Sequence, residues 1–305
     1  MKLVSIVTVN FNQPLVTEAL LKSLQQVNTY PLIEIIVVDN GSKENHVPAW
    51  KVKYPEVIFV RSEINEGFAG GNNLGIKYTK GDYLFLINND TEVTPSLIYL
   101  LSESLDRNPK IGIICPKIHY FDNPGMLQYA GYTNMNYYLA RNRCIGQFET
   151  DTGQYDAMSG VTGYAHGAAM MVRREAMNEA GLMPENYFLY YEELDWCERI
   201  RRAGYEIHTN LSALIYHKES VSVGKKSALK EYFMTRNRIL FIRKNAPGMS
   251  FYIFCLYFAA AVIPRNLVQY MVKKEYNFIK VFIMAINWHF NNRTDSKNLG
   301  YPLTR

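Results

Sequence analysis

The stretch "LFLINNDTEV", residues 84–93, runs as an apolar strand and then turns abruptly to Asn88, Asn89 and Asp90. A polar side chain just past a buried strand needs water, a hydrogen-bond partner or a cation, because stranding it in an apolar place is costly. Asp90 suits a dication. Mg²⁺ takes one or two protein carboxylates and completes its octahedron with waters and substrate phosphates. His217, after the strand-like run in "IYHKES", is a further candidate ligand, although a lone histidine is more often structural. A surface turn rich in Asn and Asp is the plain alternative. A second cluster, "YYEELDW" at 190–196, places Glu192, Glu193 and Asp195 at a helix start. Acidic residues favour a first helical turn in any case, and Asp195 stands four residues before Arg199, with which it can pair. A general base needs an ionised carboxylate aimed at a hydroxyl and not consumed by an arginine. Glu193, which points away from the face shared by Glu192 and Asp195, meets that description best, with Glu192 as the alternative.

Other stretches suit a phosphorylated ligand. Asp39 ends the most apolar run in the chain, just before Gly41 and Ser42. A carboxylate there can accept the imide N–H of a uracil or thymine ring, though Asp-Asn-Gly-Ser is also an excellent turn. "NEGFAGGNN", 65–73, is neither a G-x-G-x-x-G fingerprint nor a phosphate loop ending in Gly-Lys-Ser/Thr. It reads as a loop leading into a helix, with backbone N–H groups and the Asn72 and Asn73 amides free to grip hydroxyls or phosphate. In "YFMTRNRILFIRK", 232–244, Arg236 and Arg238 offer guanidinium forks to a diphosphate or a phospholipid headgroup; a solvated helix face is the alternative.

The elements that would position these groups alternate. Strand-like "LVSIVTVN" (3–10), "IEIIVVDN" (33–40), "VIFV" (57–60) and "YLFLI" (83–87) are separated by helix-like segments, the first starting at Pro14. Runs apolar on both faces and separated by helices predict an α/β domain with a parallel sheet covered on both sides. In such sheets ligands gather at the carboxyl ends of strands. Those ends are Asn10 and Asn12, then Asp39 to Ser42, then Asn65, then Asn88, Asn89 and Asp90. One polar end would be a turn, whereas four along one edge form a site for a polar ligand. Beyond Ile111 a further strand is expected, then a region rich in Tyr, Asn and Gly (119–160), a strand passing into a helix that ends at Gly181, and a helix from about Glu192 to Gly204.

Charge divides the 305-residue chain. Residues 1–217 hold 18 Lys and Arg against 24 Asp and Glu, a net −6, whereas 218–305 hold 15 against 4, a net +11. Within that basic part, "SFYIFCLYFAAAVIP" (250–264) is continuously apolar but shorter than a bilayer span, and "FIKVFIMAINWHF" (278–290) follows. Apolar runs beside Arg265, Lys273 and Lys274 predict helices lying on an anionic membrane surface rather than a nucleic-acid-binding tail. A buried hairpin or a homo-oligomer contact is the alternative. The first strand replaces any signal-peptide pattern, so a cytoplasmic protein held at the inner membrane face is expected, with a catalytic domain at 1–225 and a basic, apolar helical region at 226–305, of which 246–305 is expected to be removable with the donor pocket still foldable.

Read in order, "VSIVTVNFN", "IIVVDNGS", "NEGFAGGNN", "LFLINNDTEV", "TGYAHGAAMMVRREA", "YYEELDWCERIRRAGY", "YHKES" and "YFMTRNRILF" resemble the family 2 glycosyltransferases, especially their bacterial rhamnosyltransferase-like branch. The resemblance spans about residues 3–244. It implies a GT-A fold, with a mixed, mainly parallel sheet flanked by helices, and inverting transfer of a sugar from a dTDP- or UDP-linked donor to a glycan or lipid-linked acceptor, assisted by Mg²⁺ or Mn²⁺. It implies that Asp39 contacts the donor's base, that Gly67, Gly71, Asn72 and Asn73 shape the donor pocket, and that Asp90 is the last acid of a D-x-D-type metal motif. Asn88 departs from that motif, and Glu193 stands where the family's base is usually Asp. His217 matches a metal or diphosphate contact. A non-catalytic nucleotide-sugar binder and a nucleotidyltransferase are the competing readings.

Overall fold

The computed structural model describes residues 1–218 and 227–303. The boundary expected at 225/226 lies outside the described residues.

The chain opens with β1 (Val4–Asn10), α1 (Pro14–Val27), β2 (Ile33–Asn40), α2 (Val47–Lys53), β3 (Ile58–Ser62), α3 (Gly67–Ile76) and β4 (Tyr83–Ile87). Pro14 starts α1, where a missing N–H is harmless, and Leu20, Leu21 and Leu24 bury its inner face. β1, β2, β3 and β4 are parallel neighbours in the order β3-β2-β1-β4. Their carboxyl ends therefore share one edge: Asn10 lies opposite Asp39, and Asp39 opposite Arg61.

Next come β5 (Thr91–Val93), α4 (Leu97–Arg107), β6 (Ile111–Tyr120), β7 (Asn123–Tyr129), β8 (Gly160–Val161), β9 (Ala169–Arg173), α5 (Arg174–Ala180), α6 (Glu192–Arg202) and β10 (Glu206–His217). β9 is antiparallel to both β4 and β6, so the sheet is mixed, and it continues β4-β9-β6-β10-β5. β5 runs antiparallel to β10, which sets Thr91 opposite His217 and brings Asp90 to that histidine. The 119–160 region contributes the β6–β7 hairpin and irregular loops.

The C-terminal region is helical: α7 (Ala228–Asn245), α8 (Ser250–Tyr257), a π-helical turn (Phe258–Val262), α9 (Ile263–Val272) and α10 (Tyr276–Asn291). Pro264 cannot donate to the carbonyl four residues back, and the widened turn just before it absorbs that loss. The apolar run is thus not confined to 250–264. It is one helical stretch, Ser250–Val272, of 23 residues, long and apolar enough to cross or lie on a membrane. α10 packs along α7: Trp288 is buried against the Arg236 guanidinium, 4.5 Å from its ring centre, and beyond α10 the Tyr301 ring lies tilted against Tyr232, 5.0 Å between centres. These contacts tie α10 to α7, so removing α10 would uncover the apolar side of α7.

Candidate active site

At the shared sheet edge, Asp39 is almost wholly enclosed. Arg61 pairs with one carboxylate oxygen, and Asn10 donates to the other at 3.0 Å. Asn10 also donates to Ser42 Oγ at 3.0 Å and accepts from Thr17 at 2.9 Å. Asn12, in the left-handed region at φ 55°, donates its backbone N–H to Ser42 Oγ at 2.8 Å. Asn65 accepts from the Asn40 amide and from Gly67 N–H. Asn89 donates to Thr17 at 3.0 Å, tying the end of β4 to α1. Around Asn10 the strand ends form a hydrogen-bonded network reaching Asp39, Ser42, Thr17 and Asn89, and Asn40, Asn65 and Gly67 form a second group beside it.

The glycine-rich segment is helix α3 rather than a loop with free N–H groups. Gly67, at φ +74°, starts it where a Cβ would meet the Phe188 carbonyl, and Phe68 N–H donates to that carbonyl at 2.8 Å. Gly71 lets α3 press onto β1, since a Cβ there would lie 2.9 Å from Val9. The Asn72 amide is taken by Phe68 O, and the Asn73 amide by Met183 O and Glu185. These two asparagines hold α3 and its neighbour in place, which corrects the expectation that their N–H groups are free to grip a ligand.

Asp90 and His217 come together. Asp90 Oδ1 is buried, makes no hydrogen bond, and stands 3.1 Å from His217 Nε2. His217 Nδ1 donates to Gln128 Oε1 at 2.8 Å, which turns Nε2 toward the carboxylate. A proton or a cation between the two would join them. A histidine whose second nitrogen is tied to a carbonyl, beside a free carboxylate oxygen, is a donor set that fits Mg²⁺ or Mn²⁺. Among the described residues no cluster of three His, Cys, Asp or Glu forms, so remaining coordination positions would fall to phosphate oxygens and water. His166 lies beside this pair, its ring 6.2 Å from that of His217. Burial first, and then the His217 charge, push the His166 imidazole down to about 3, so it stays neutral.

The carboxylates of α6 are sharply differentiated. Asp195 is fully buried and held by Lys244 at 2.7 Å and Asn245 at 2.6 Å, while Arg199 instead donates to the Leu182 and Ala180 carbonyls. The expected Asp195–Arg199 pair is therefore absent. Glu192 is buried, its Oε2 has no hydrogen-bond partner, and burial followed by the Glu193 charge raises it well above the usual carboxylate range. Glu193 is half-buried, and burial pushes it up to about 7. No ion pair holds either glutamate among the described residues. Near neutrality Glu192 keeps its proton and Glu193 titrates, as suits a general base.

The turn that presents this pair is strained. Phe188, Tyr190 and Tyr191 all adopt φ between 66° and 74°, a conformation costly for residues with bulky side chains. Asn237 of α7 holds it by donating to the carbonyls of Tyr187 (3.0 Å), Leu189 (2.7 Å) and Tyr190 (2.8 Å). Arg236 is not available to a diphosphate as expected. It is fully buried, donates to Asn186 O, and lies against the rings of Trp288 and Phe233. Arg238 donates to Leu139 O and reaches a separate cavity.

Arg61, Gln128, His166 and Asn237 are site residues that sequence reasoning did not single out. His166 had a readable signal: it precedes β9, and the start of an antiparallel strand shares an edge with the carboxyl ends of its parallel neighbours.

The mixed sheet flanked by helices is the GT-A fold of glycosyltransferases, shared with the solved neighbours. Residues 5–181 match the family described as Glycosyl transferase family 2, and the chain belongs to that family. It is 27% identical over 212 residues to the low-salt glycan biosynthesis hexosyltransferase Agl10 of Haloferax volcanii, a match covering 68% of this chain and 66% of that protein. It is 23% identical over 231 residues to the N-acetylglucosaminyl-diphospho-decaprenol L-rhamnosyltransferase of Mycobacterium tuberculosis, covering 69% of this chain and 74% of that one. Among solved structures, the mannosyltransferase PcManGT of Pyrobaculum calidifontis, in complex with GDP-Man and Mn²⁺, superposes with a TM-score of 0.58 at 13% identity, over 95% of this chain and 87% of that one.

Proposed function

We propose that this chain transfers a hexose, rhamnose being the first candidate, from a dTDP- or UDP-linked donor to a hydroxyl of a glycan or lipid-linked acceptor, with inversion, in building a cell-surface polysaccharide. The observation that carries the reading is the split among the α6 carboxylates: Asp195 is neutralised by Lys244, whereas Glu193 is unpaired and raised to about 7.

Asp39, pinned by Arg61 and Asn10, keeps a lone pair on each oxygen for the imide N–H of a pyrimidine base. Asn12, Asn65, Gly67 and Gly71 shape the floor beneath the donor. Asp90 and His217 would hold Mg²⁺ or Mn²⁺, and a dication there supplies the positive charge that makes a nucleoside diphosphate a good leaving group. Glu193 takes the proton of the acceptor hydroxyl as its oxygen bonds to the anomeric carbon, and the bond from that carbon to the diphosphate oxygen breaks on the opposite face. Glu192, kept protonated, leaves Glu193 as the one carboxylate that accepts. The exposed apolar face of Ser250–Val272, flanked by Lys273 and Lys274, supports a site of action on the cytoplasmic face of an anionic membrane.

A thermal-shift screen of nucleotide sugars with and without Mg²⁺ identifies the donor, because a ligand that binds only the folded state raises its apparent stability. With that donor, Glu193→Gln is expected to lower kcat by about 10²–10⁴-fold while donor affinity stays near that of the parent. Unchanged turnover in Glu193→Gln refutes the assignment of the base, and a retained anomeric configuration in the product, read by NMR coupling, refutes inversion.

A further inference from the structure

Between the loop at Ala140–Asn142 and the C-terminal helices lies a cavity of about 280 Å³. Two arginines enter it, Arg141 from the loop and Arg238 from α7, and no Asp or Glu lines it. The Arg141 side chain is exposed and makes no hydrogen bond or ion pair among the described residues. Arg238 spends one N–H on Leu139 O, leaves Nε unpartnered, and lies over the rings of Phe254 and Phe258 at 5.9 and 5.8 Å. Two guanidinium groups sharing a partly desolvated space without a counter-charge repel, and a bidentate anion relieves that repulsion.

A simple anion would satisfy only half of this cavity. Its other wall is apolar: Phe258 and Val262 from the π-helical turn, and Phe282 from α10. The same helical stretch exposes Tyr252, Ile253 and Leu256 on its outer side, at 63%, 45% and 71% of full exposure. Cationic forks facing an apolar wall, on a helical stretch whose outer side is also apolar, match a ligand whose phosphate is joined to a lipid chain. Tyr191 also lines the cavity and immediately precedes Glu192 and Glu193. Burial raises its phenol to about 12, against the opposing pull of Arg238 and Arg141, and the Glu193 charge acts on the same hydroxyl. Tyr191 thus stands between the cavity and the start of α6, where the carboxylate pair sits.

We propose that this cavity binds the phosphate or diphosphate of a lipid-linked saccharide acceptor, with Arg141 and Arg238 holding the anion and Phe258, Val262 and Phe282 holding the first part of the lipid. Anchored there, the acceptor presents its sugar hydroxyl towards Glu193. The inference rests on the glycosyl-transfer reading for the word "acceptor", but not for the binding itself.

The test uses the full-length protein without any sugar nucleotide, titrated calorimetrically with farnesyl diphosphate, inorganic pyrophosphate and farnesol. Farnesyl diphosphate is expected to bind at least about tenfold more tightly than either of the others. Arg141→Gln should weaken farnesyl diphosphate by about fivefold or more at an unchanged melting temperature, since that side chain is exposed and unpartnered, while Arg141→Lys keeps most of the affinity. Pyrophosphate binding as tightly as farnesyl diphosphate would make this a site for a free anion and overturn the proposal. Farnesol binding equally well, or an Arg141→Gln affinity equal to that of the parent, would overturn it too. No transfer is measured, so failure here leaves the glycosyl-transfer reading standing, and failure of the Glu193→Gln test leaves this binding result intact.

Discussion

In the sheet region, residues 1–217, several buried charges are answered by an opposite charge, although Arg173 is spent on carbonyls and Asp90 Oδ1 and Glu192 Oε2 make no hydrogen bond. Asp39 has Arg61 and Asn10, Lys117 has Asp151 and Asp156, and Asp195 is met by Lys244 reaching across from α7. In the helical region, cations face rings and carbonyls instead. Arg236 is fully enclosed with Nε and Nη1 unpartnered, Trp288 and Phe233 lie against it, and burial lowers it to about 10. The contrast follows the net charges of −6 and +11, because the second region has few carboxylates with which to pair. A networked edge is rigid and preorganised, whereas a region of unmatched cations is built to brace carbonyls or to meet an anion. The two are coupled through one turn: α3 touches Phe188 from the sheet side, and Asn237 holds Tyr187, Leu189 and Tyr190 from the other.

The sharpest way to break this comparison is at the one buried carboxylate oxygen of the edge that lacks a hydrogen bond. Asp90→Asn is expected to lower kcat/KM by about 10²–10³-fold and to abolish the extra thermal shift that Mn²⁺ gives in the presence of nucleotide. If the variant turns over like the parent, the edge has no cation site. On the helical side, Trp288→Ala should cost about 3–5 kcal/mol by urea denaturation, because it opens a cavity and uncovers Arg236. A loss under about 1 kcal/mol would mean that the C-terminal helices are separable after all.

The coupling turn is tested by Asn237→Ala. It leaves the carbonyls of Tyr187, Leu189 and Tyr190 without their shared donor and should cost about 2 kcal/mol. With the strained turn released, kcat should fall while the donor KM holds, and an equal change in both would place Asn237 in donor binding. The pH profile sharpens the same point. Only ionised Glu193 accepts a proton, so kcat should rise about tenfold per unit up to about pH 7 and level off above it. A flat profile from pH 5.5 to 8 assigns the proton to another group. The smallest effect is expected at the surface: Leu256→Ser should change stability by less than about 0.5 kcal/mol yet reduce co-sedimentation with anionic vesicles. Undiminished sedimentation removes α8 from the membrane contact.

Much of the sheet was legible because its signal is local. β1, β2 and β4 are short runs apolar on both faces, and each ends where Asn or Asp begins. Asp90 and His217 were each readable as the polar end of a strand, although nothing in the chain says that the 126 intervening positions fold back to set them 3.1 Å apart. Arg61 with Asp39, Gln128 with His217 and Asn237 with the 187–190 turn were not legible, since those pairings span from about twenty to ninety residues and no periodicity records them. The reading of Arg236 failed for a related reason. An arginine in a helix with apolar residues all around it shows no face, and only the arrival of α10 decided that its guanidinium would be enclosed.

The amino-acid sequence by itself determined the alternation of strands and helices, the polar edge at the strand ends and the division of charge along the chain, because each depends on near neighbours and on composition. Tertiary structure alone decided which of the α6 carboxylates is free. Desolvation and ion pairing act through distances in space, and it is the packing of α7 on α6 that gives Lys244 to Asp195 and leaves Glu193 to titrate near neutrality.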